Sequence, residues 1–209
     1  MGVRREYNGG KRRKSPAKKL NEYREVTIDG AEAVEIFIES KKHGTHITIV
    51  DKEDWERLKE YRWALDVQAH AIYAHTNIPH PDGGWYYPPN GKRRRRSLTV
   101  RMHRLITNAP KGMVADHINH NGLDNRKSNL RVCTNAENMR NQHSQKGGTS
   151  IYKGVCWHKA SGKWYAQIKF KGKTIHIGLF TDEKEAARAA DAKAKELHGE
   201  YALLNFPDE

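Results

Sequence analysis

Residues 115–141, "ADHINHNGLDNRKSNLRVCTNAENMRN", carry seven asparagines, two histidines and two aspartates. A stretch with so few apolar side chains cannot be a core element, and its turn formers are too ordered for a tail. It reads as a loop shaped by polar side chains and framed by short regular elements. "NHNGLDNR" loops out from a first strand, and "NLRVC" returns as a second. "TNAE" matches the S/T-x-x-E capping box, which starts a helix at Thr134 and puts Asn138 in its second turn. The order is strand, loop, strand, helix, with Asp116 on the first strand and Asn138 on the helix. Asp116 is a hard oxygen ligand suited to Mg²⁺, and His117 beside it is the side chain best suited to take a proton near neutral pH. A cation held between two such elements keeps positions open for water and a phosphate oxygen. Adjacent strand residues point to opposite faces, so Asp116 and His117 converge only if a phosphate lies between them or the strand ends there.

Charge bounds the partners. Thirty-eight lysines and arginines against 25 acids give a net charge of +13, spread over several runs, which favours a polyanion such as nucleic acid over a small acidic molecule. Cys133 and Cys156 are the only cysteines and lie far apart, so neither a disulfide framework nor a structural zinc site is expected and a reducing compartment fits. No stretch approaches the ~20 apolar residues of a membrane span. The expected location is cytoplasmic.

Along the chain, residues 1–20 read as a basic disordered arm. "AVEIFIE" (33–39) alternates with Val34, Ile36 and Ile38 on one face, and "THITIV" (45–50) with Ile47 and Ile49, so the two form a hairpin. Asp51 caps a short helix with Trp55, Leu58 and Tyr61 at helical spacing. Residues 61–78 supply two more strands, and 79–92 is a turn-rich loop. "KRRRRSLTVRMHRLI" (92–106) is a basic run feeding a strand on which Leu98, Val100 and Met102 share a face, with His103 and Arg104 further along it. "SQKGGTS" is a linker. Beyond it, strands near 152–158, 163–170 and 173–180 precede a helix opened by Thr181. Ala186, Ala190, Ala194 and Leu197 form a small-residue stripe that lets that helix lie close on the sheet. Trp164, Ala166 and Ile168 point inward there, and Lys163, Tyr165, Gln167 and Lys169 outward.

The spacing "DH", then "NL" twelve residues after the histidine, then a helical asparagine nine beyond Asn129, resembles the HNH (ββα-metal) nuclease motif, over about 98–142. The lead-in "MHRLITNAPKGM" is similar to phage and intron-associated HNH homing endonucleases. The resemblance implies that Asp116 and Asn138 bind the divalent metal and that His117 deprotonates the attacking water. It also implies that Asn129 pins the loop, so that a backbone carbonyl holds the imidazole in its working tautomer. Asn141, one turn beyond Asn138, is placed to assist. In the last part of the chain, "YKGV", "GKWYAQI", "IGLF", "EAARAAD" and "LNFP" resemble an Apetala-two/ethylene-response-factor DNA-binding domain. That family reads the major groove with one sheet face, which implies the outward set Lys153, His158, Lys163, Gln167, Lys169 and His176.

Together these readings give an α+β chain: a small α+β region at 21–97, a ββα-metal HNH core at 98–143, a linker at 144–150, and a three-stranded antiparallel sheet packed on one helix at 151–209. The expected protein is a monomeric, free-standing endonuclease of phage type, dependent on Mg²⁺ or another divalent cation such as Mn²⁺. It acts on double-stranded DNA, with no small-molecule substrate. Arg93, Arg94, Arg95, Arg96 and Arg104 add DNA contacts. The alternative is a non-catalytic DNA-binding transcriptional regulator built on the C-terminal domain.

Overall fold

The computed structural model describes residues 19–89, 91–142 and 148–207. The arm expected over 1–20 lies outside them except for its last two residues, and the linker expected over 144–150 is described only from 148. The architecture is α+β, with antiparallel pairing in every sheet. No helix among the described residues is long and apolar enough to cross a membrane.

Strands β1 (Tyr23–Ile28), β2 (Ala31–Ser40) and β3 (Gly44–Asp51) form a meander in sequence order. Val34, Ile36 and Ile38 of β2 are fully buried, as alternation predicts. On β3 the buried residues are Thr48 and Val50, not the expected Ile47 and Ile49; Ile47 is 39% exposed. Register decides this, because Val34 pairs with Val50 and Ile36 with Thr48, and directly opposed residues share a face. Thr48 is tolerated there because its hydroxyl donates to the Leu123 carbonyl at 2.8 Å.

Helix α1 (Lys52–Leu58) buries Trp55 and Leu58. Asp51 stands at its N-cap as expected, but its carboxylate accepts from the Lys127 amide at 2.7 Å instead of capping. Strands β4 (Ala64–Val67) and β5 (Ile72–Pro79) follow. The expected loop then contains a short ribbon, β6 (Trp85–Tyr86) paired with β7 (Arg94–Arg95). Strand β8 (Ser97–Arg101) returns beside β5, giving the order β4-β5-β8. The strand expected to continue past Arg101 ends there, and helix α2 (Met102–Thr107) takes over until Asn108, which is left-handed at φ 46°. His103 and Arg104 therefore sit on a helix. A six-residue helix is under two turns long, too short for its period to show in the sequence.

Val34, Ile36, Ile38, Trp55, Trp63, Met102 and Ile106 belong to one buried cluster, with Leu123 and Leu130 packed against it. The two regions expected as 21–97 and 98–143 thus share a core across their boundary. On this core sit β9 (Val114–His117), β10 (Leu130–Cys133) and α3 (Asn135–Arg140).

The C-terminal unit has β11 (Val155–His158), β12 (Lys163–Phe170), β13 (Lys173–Phe180) and α4 (Glu183–His198). Strand β11 starts later than expected because Gly154, at φ +80°, makes a turn in which a Cβ would lie 2.8 Å from the Gln167 carbonyl. The N-cap is Asp182 and not Thr181: its Oδ1 accepts from the Glu185 amide at 2.8 Å. Ala186, Ala187 and Ala190 pack with Val155 and Ala166. Buried Asp191 accepts from the Asn205 and Phe206 amides and so ties down the C-terminal segment.

Candidate active site and nucleic-acid surfaces

The loop between β9 and β10 is knitted by its own asparagines. Asn129, 6% exposed, accepts from the Asn119 amide at 2.9 Å and donates to the Asp124 carbonyl at 2.8 Å. Asn119 Oδ1 accepts from the Asn121 amide, and Asn121 Oδ1 from that of Leu123. Asp124 is gripped by Arg126 and Asn119. Burial pushes its carboxyl upward, but the charge and hydrogen bonds of Arg126, together with the Asn119 hydrogen bond, outweigh that and hold it below the ordinary range. The loop also docks along the edge of β3: Ile49 donates to the Leu123 carbonyl at 2.9 Å, and Asn125 donates to that of Ile49 at 2.8 Å. Gly122 is needed where the loop meets β5, since a Cβ there would lie 2.4 Å from the Ile72 carbonyl.

This packing fixes His117, which is 6% exposed and lies against His103 and Tyr73, with ring centroids at 4.8 and 5.9 Å. Its Nε2 lies 3.2 Å from Asn125 Oδ1. The protonation of that contact follows from a chain of donors. The Thr48 hydroxyl spends its one proton on the Leu123 carbonyl and so must accept from Asn125 Nδ2 at 2.8 Å. That turns Asn125 Oδ1, which can only accept, toward His117, so Nε2 carries the hydrogen and Nδ1 the lone pair. Nδ1 makes no hydrogen bond with another described residue. Burial depresses the His117 pKa despite the opposing pull of Asn125, Asp116 and Asp124, and so favours the neutral ring. The partner of the imidazole is thus the Asn125 side chain, not the backbone carbonyl that the motif implied. His103 is also buried, and is lowered to about 3 by desolvation and then by its charged neighbours.

Asp116 faces away from His117, opposite Arg131 in the β9–β10 register. Its Oδ2 accepts from Arg131 Nε and Nη2 at 3.1 and 2.9 Å and from Asn141 Nδ2 at 3.0 Å. Oδ1 takes no hydrogen bond from a described residue. Asn138 lies on α3, which packs on β9 and begins with the expected capping box at Thr134. No group of three or more His, Cys, Asp or Glu that could hold a metal occurs among the described residues. The expected pair is a carboxylate and a carboxamide, both hard oxygen donors. Such a set suits a cation that keeps several waters, as Mg²⁺ does.

Five of the six expected DNA-facing residues of the C-terminal sheet share its outer face. His158 and His176 stack on Tyr165, with centroids at 6.1 and 4.7 Å, beside Gln167 and the exposed Lys163 and Lys169. Lys153 is not among them: its Nζ donates to the Arg140 carbonyl and, at 2.7 Å, to that of Gln142, so it closes the end of α3. Burial lowers its pKa to about 8. Arg93, Arg94, Arg95 and Arg96 are exposed. Arg104 instead turns onto the Met113 and Ala109 carbonyls. A second link joins the two units, because Arg131 also donates to the Glu200 carbonyl at 2.8 Å and lies over the Tyr201 ring. Asn125 and Arg131 were not anticipated from the sequence; for Arg131 the signal was its place opposite Asp116 once the strands are paired.

A family model described as HNH endonuclease matches residues 102–140, and one described as AP2 domain matches 150–200. Protein 3.8 of Escherichia phage T7 is 34% identical over 93 residues, which is 44% of this chain and 76% of that protein. An uncharacterized HNH endonuclease of Acanthamoeba polyphaga mimivirus is 34% identical over 162 residues, covering 76% of this chain and 74% of the relative. An AP2-like ethylene-responsive transcription factor of Arabidopsis thaliana is 43% identical over 61 residues, 28% of this chain and 12% of that protein. The chain belongs to the HNH endonuclease family and carries an AP2 domain in its C-terminal part.

Proposed function

We propose that the protein is a site-directed DNA endonuclease that hydrolyses phosphodiester bonds with one divalent cation, Mg²⁺ or Mn²⁺, in the manner of free-standing phage homing endonucleases. The observation that carries this reading is the donor chain from Thr48 through Asn125 to His117, which leaves Nδ1 of a neutral imidazole as an available base. Asp116, with Oδ2 taken up by Arg131 and Asn141, offers Oδ1 to the cation, and Asn138 offers its carboxamide oxygen. A cation bound there supplies Lewis-acid polarisation of the scissile phosphate and neutralises charge on the leaving oxygen. His117 Nδ1 takes a proton from water as the water oxygen attacks phosphorus, and the bond to the 3′ oxygen breaks. Asn125 steadies the imidazolium through Nε2–H, and Asn129 acts as a positioning residue that holds the loop. The outer face of the AP2 domain and the arginines at 93–96 supply phosphate and groove contacts.

Nicking of supercoiled plasmid tests this directly. Wild type should nick with Mg²⁺ and stop on chelation, and His117→Ala should lose at least ~10²-fold in rate, the usual size of a general-base effect, while still binding DNA. Asp116→Ala and Asn138→Ala should need more Mg²⁺ for half-maximal nicking. Full activity in His117→Ala would assign the base elsewhere. A wild-type protein that binds DNA and nicks with no divalent cation tried would favour a DNA-binding regulator, the reading that the AP2-like transcription-factor relatives support.

A further inference from the structure

Between β5 and β8 the chain leaves the core to form the ribbon β6–β7, and this ribbon exposes Trp85 by 47%, Tyr86 by 46% and Tyr87 by 71%. Three consecutive exposed aromatics are a costly surface for a chain with this much polar sequence, and so call for a partner. The opposite strand is wholly basic. Trp85 pairs with Arg95, and the guanidinium carbons of Arg93 and Arg95 lie 4.3 and 5.2 Å from the centroid of its ring. Cation–π contact of this kind fixes the two guanidinium groups at low entropic cost, as phosphate-binding forks. Tyr86 pairs with Arg94 through the backbone of the ribbon, but the side chains of Tyr86 and Tyr87 make no ring contact or hydrogen bond with another described residue, and Pro88 follows them directly. The ribbon therefore offers anchored cations beside unpartnered aromatic faces.

We propose that this ribbon is a contact for unpaired DNA bases, in which Arg93 and Arg95 hold the backbone while Tyr86 and Tyr87 stack on exposed base faces. Base–aromatic stacking needs no particular base and adds to phosphate affinity. The complementary charge selects a polyanion, and the free rings select one whose bases are open. The ribbon is also placed to meet the substrate of the active site. Tyr73, against His117, lies on β5, and the strand runs about 20 Å from there to Pro79 at ~3.4 Å per residue. The contact would thus fall some six base pairs or more from the scissile phosphate, at ~3.4 Å per step. This inference rests on DNA being the substrate.

The test uses the full chain in chelator, which prevents cleavage, and two labelled duplexes of one sequence. One is perfectly paired and the other has a three-nucleotide bubble. Fluorescence anisotropy should show wild type binding the bubble at least about five-fold more tightly, the low end for one stacked base. The double variant Tyr86→Ala/Tyr87→Ala should bind both duplexes alike, with affinity for the perfect one kept within about two-fold. Arg93→Ala should weaken both and flatten the salt slope by about 0.9, as loss of one phosphate contact does. A wild type without preference, or a double variant that keeps it, overturns the proposal. So does tighter binding to phosphatidylserine vesicles than to the bubble, which would reassign the ribbon to a lipid surface. Failure to bind either duplex sinks the nuclease reading as well, whereas binding and nicking without preference sinks only the ribbon.

Discussion

The AP2 domain and the asparagine-rich loop between β9 and β10 both hold polar side chains in fixed directions, and they do so with different materials. In the AP2 domain, Ala186, Ala187 and Ala190 bury α4 against the sheet, and the outward rings and lysines stand on the other face, outside that cluster. In the β9–β10 loop the packing material is itself polar. Asn125 and Asn129 are 0% and 6% exposed, and each hydrogen-bonds groups inside the fold: Asn125 bridges Thr48 and His117, and Asn129 bridges Asn119 and Asp124. A buried polar network of this kind is rigid when complete and expensive when one member is lost, because the partner left behind stays desolvated. The difference implies that function and stability are tied together in the loop and separable in the AP2 domain.

Substitution at Asn125 should break that tie most visibly. Asn125→Ala leaves the Thr48 hydroxyl and His117 Nε2 short of a partner, so nicking should fall about 10- to 100-fold, the range seen when the residue orienting a site group is removed. Stability should fall by about 1–3 kcal/mol in the same variant. Asn125→Asp keeps an acceptor on Nε2 and should recover part of the activity, with an altered pH–rate profile; equal rates in both variants would make the contact merely structural. The AP2 counterpart is Ala190→Leu, which overpacks the helix–sheet contact and should cost about 1–3 kcal/mol by denaturant titration. Its nicking at low salt should persist where that of Asn125→Ala does not.

Acid sensitivity sharpens the comparison on a smaller scale. His103 has a folded pKa of about 3, below its ordinary 6.5, so the unfolded chain binds more protons between those values and stability is lost as pH falls through that window. Relative to pH 7, the core should be weaker by about 2 kcal/mol at pH 5 on this account. His103→Phe should reduce the loss, as read from thermal melts at the two pH values. An unchanged pH dependence would place the acid-sensitive group elsewhere.

The same contrast governs what could be read in the sequence. Strands β12 and β13 run over the expected residues because tight turns bound an alternating pattern that answers to one burial face. Alternation misled on β3, where Thr48 is buried for the sake of its hydrogen bonds, and on His103, where a helix too short to show a period replaces the end of a strand. The spacing of Asp116, His117, Asn129 and Asn138 was visible, but Asn125 and Arg131 were not. Their roles come from the register of β10 on β9 and the docking of the loop on β3, and both are long-range pairings. Lys153 could not be placed for a similar reason: only the packing of the two units shows that it closes α3 and lies apart from the outer face of the sheet.

The proposed division of labour places cleavage in residues 19–142 and site affinity in the AP2 domain. Cutting the chain after Gly147 tests it most directly, since it spares the cluster that supports His117. The shortened protein should still nick plasmid with Mg²⁺ at low salt, with poorer site preference. Its binding should also fall less steeply with salt, each lost phosphate contact flattening the slope by about 0.9. A shortened protein that melts cooperatively yet keeps the full site preference and salt slope would contradict the account, as would one that binds DNA and no longer cuts it.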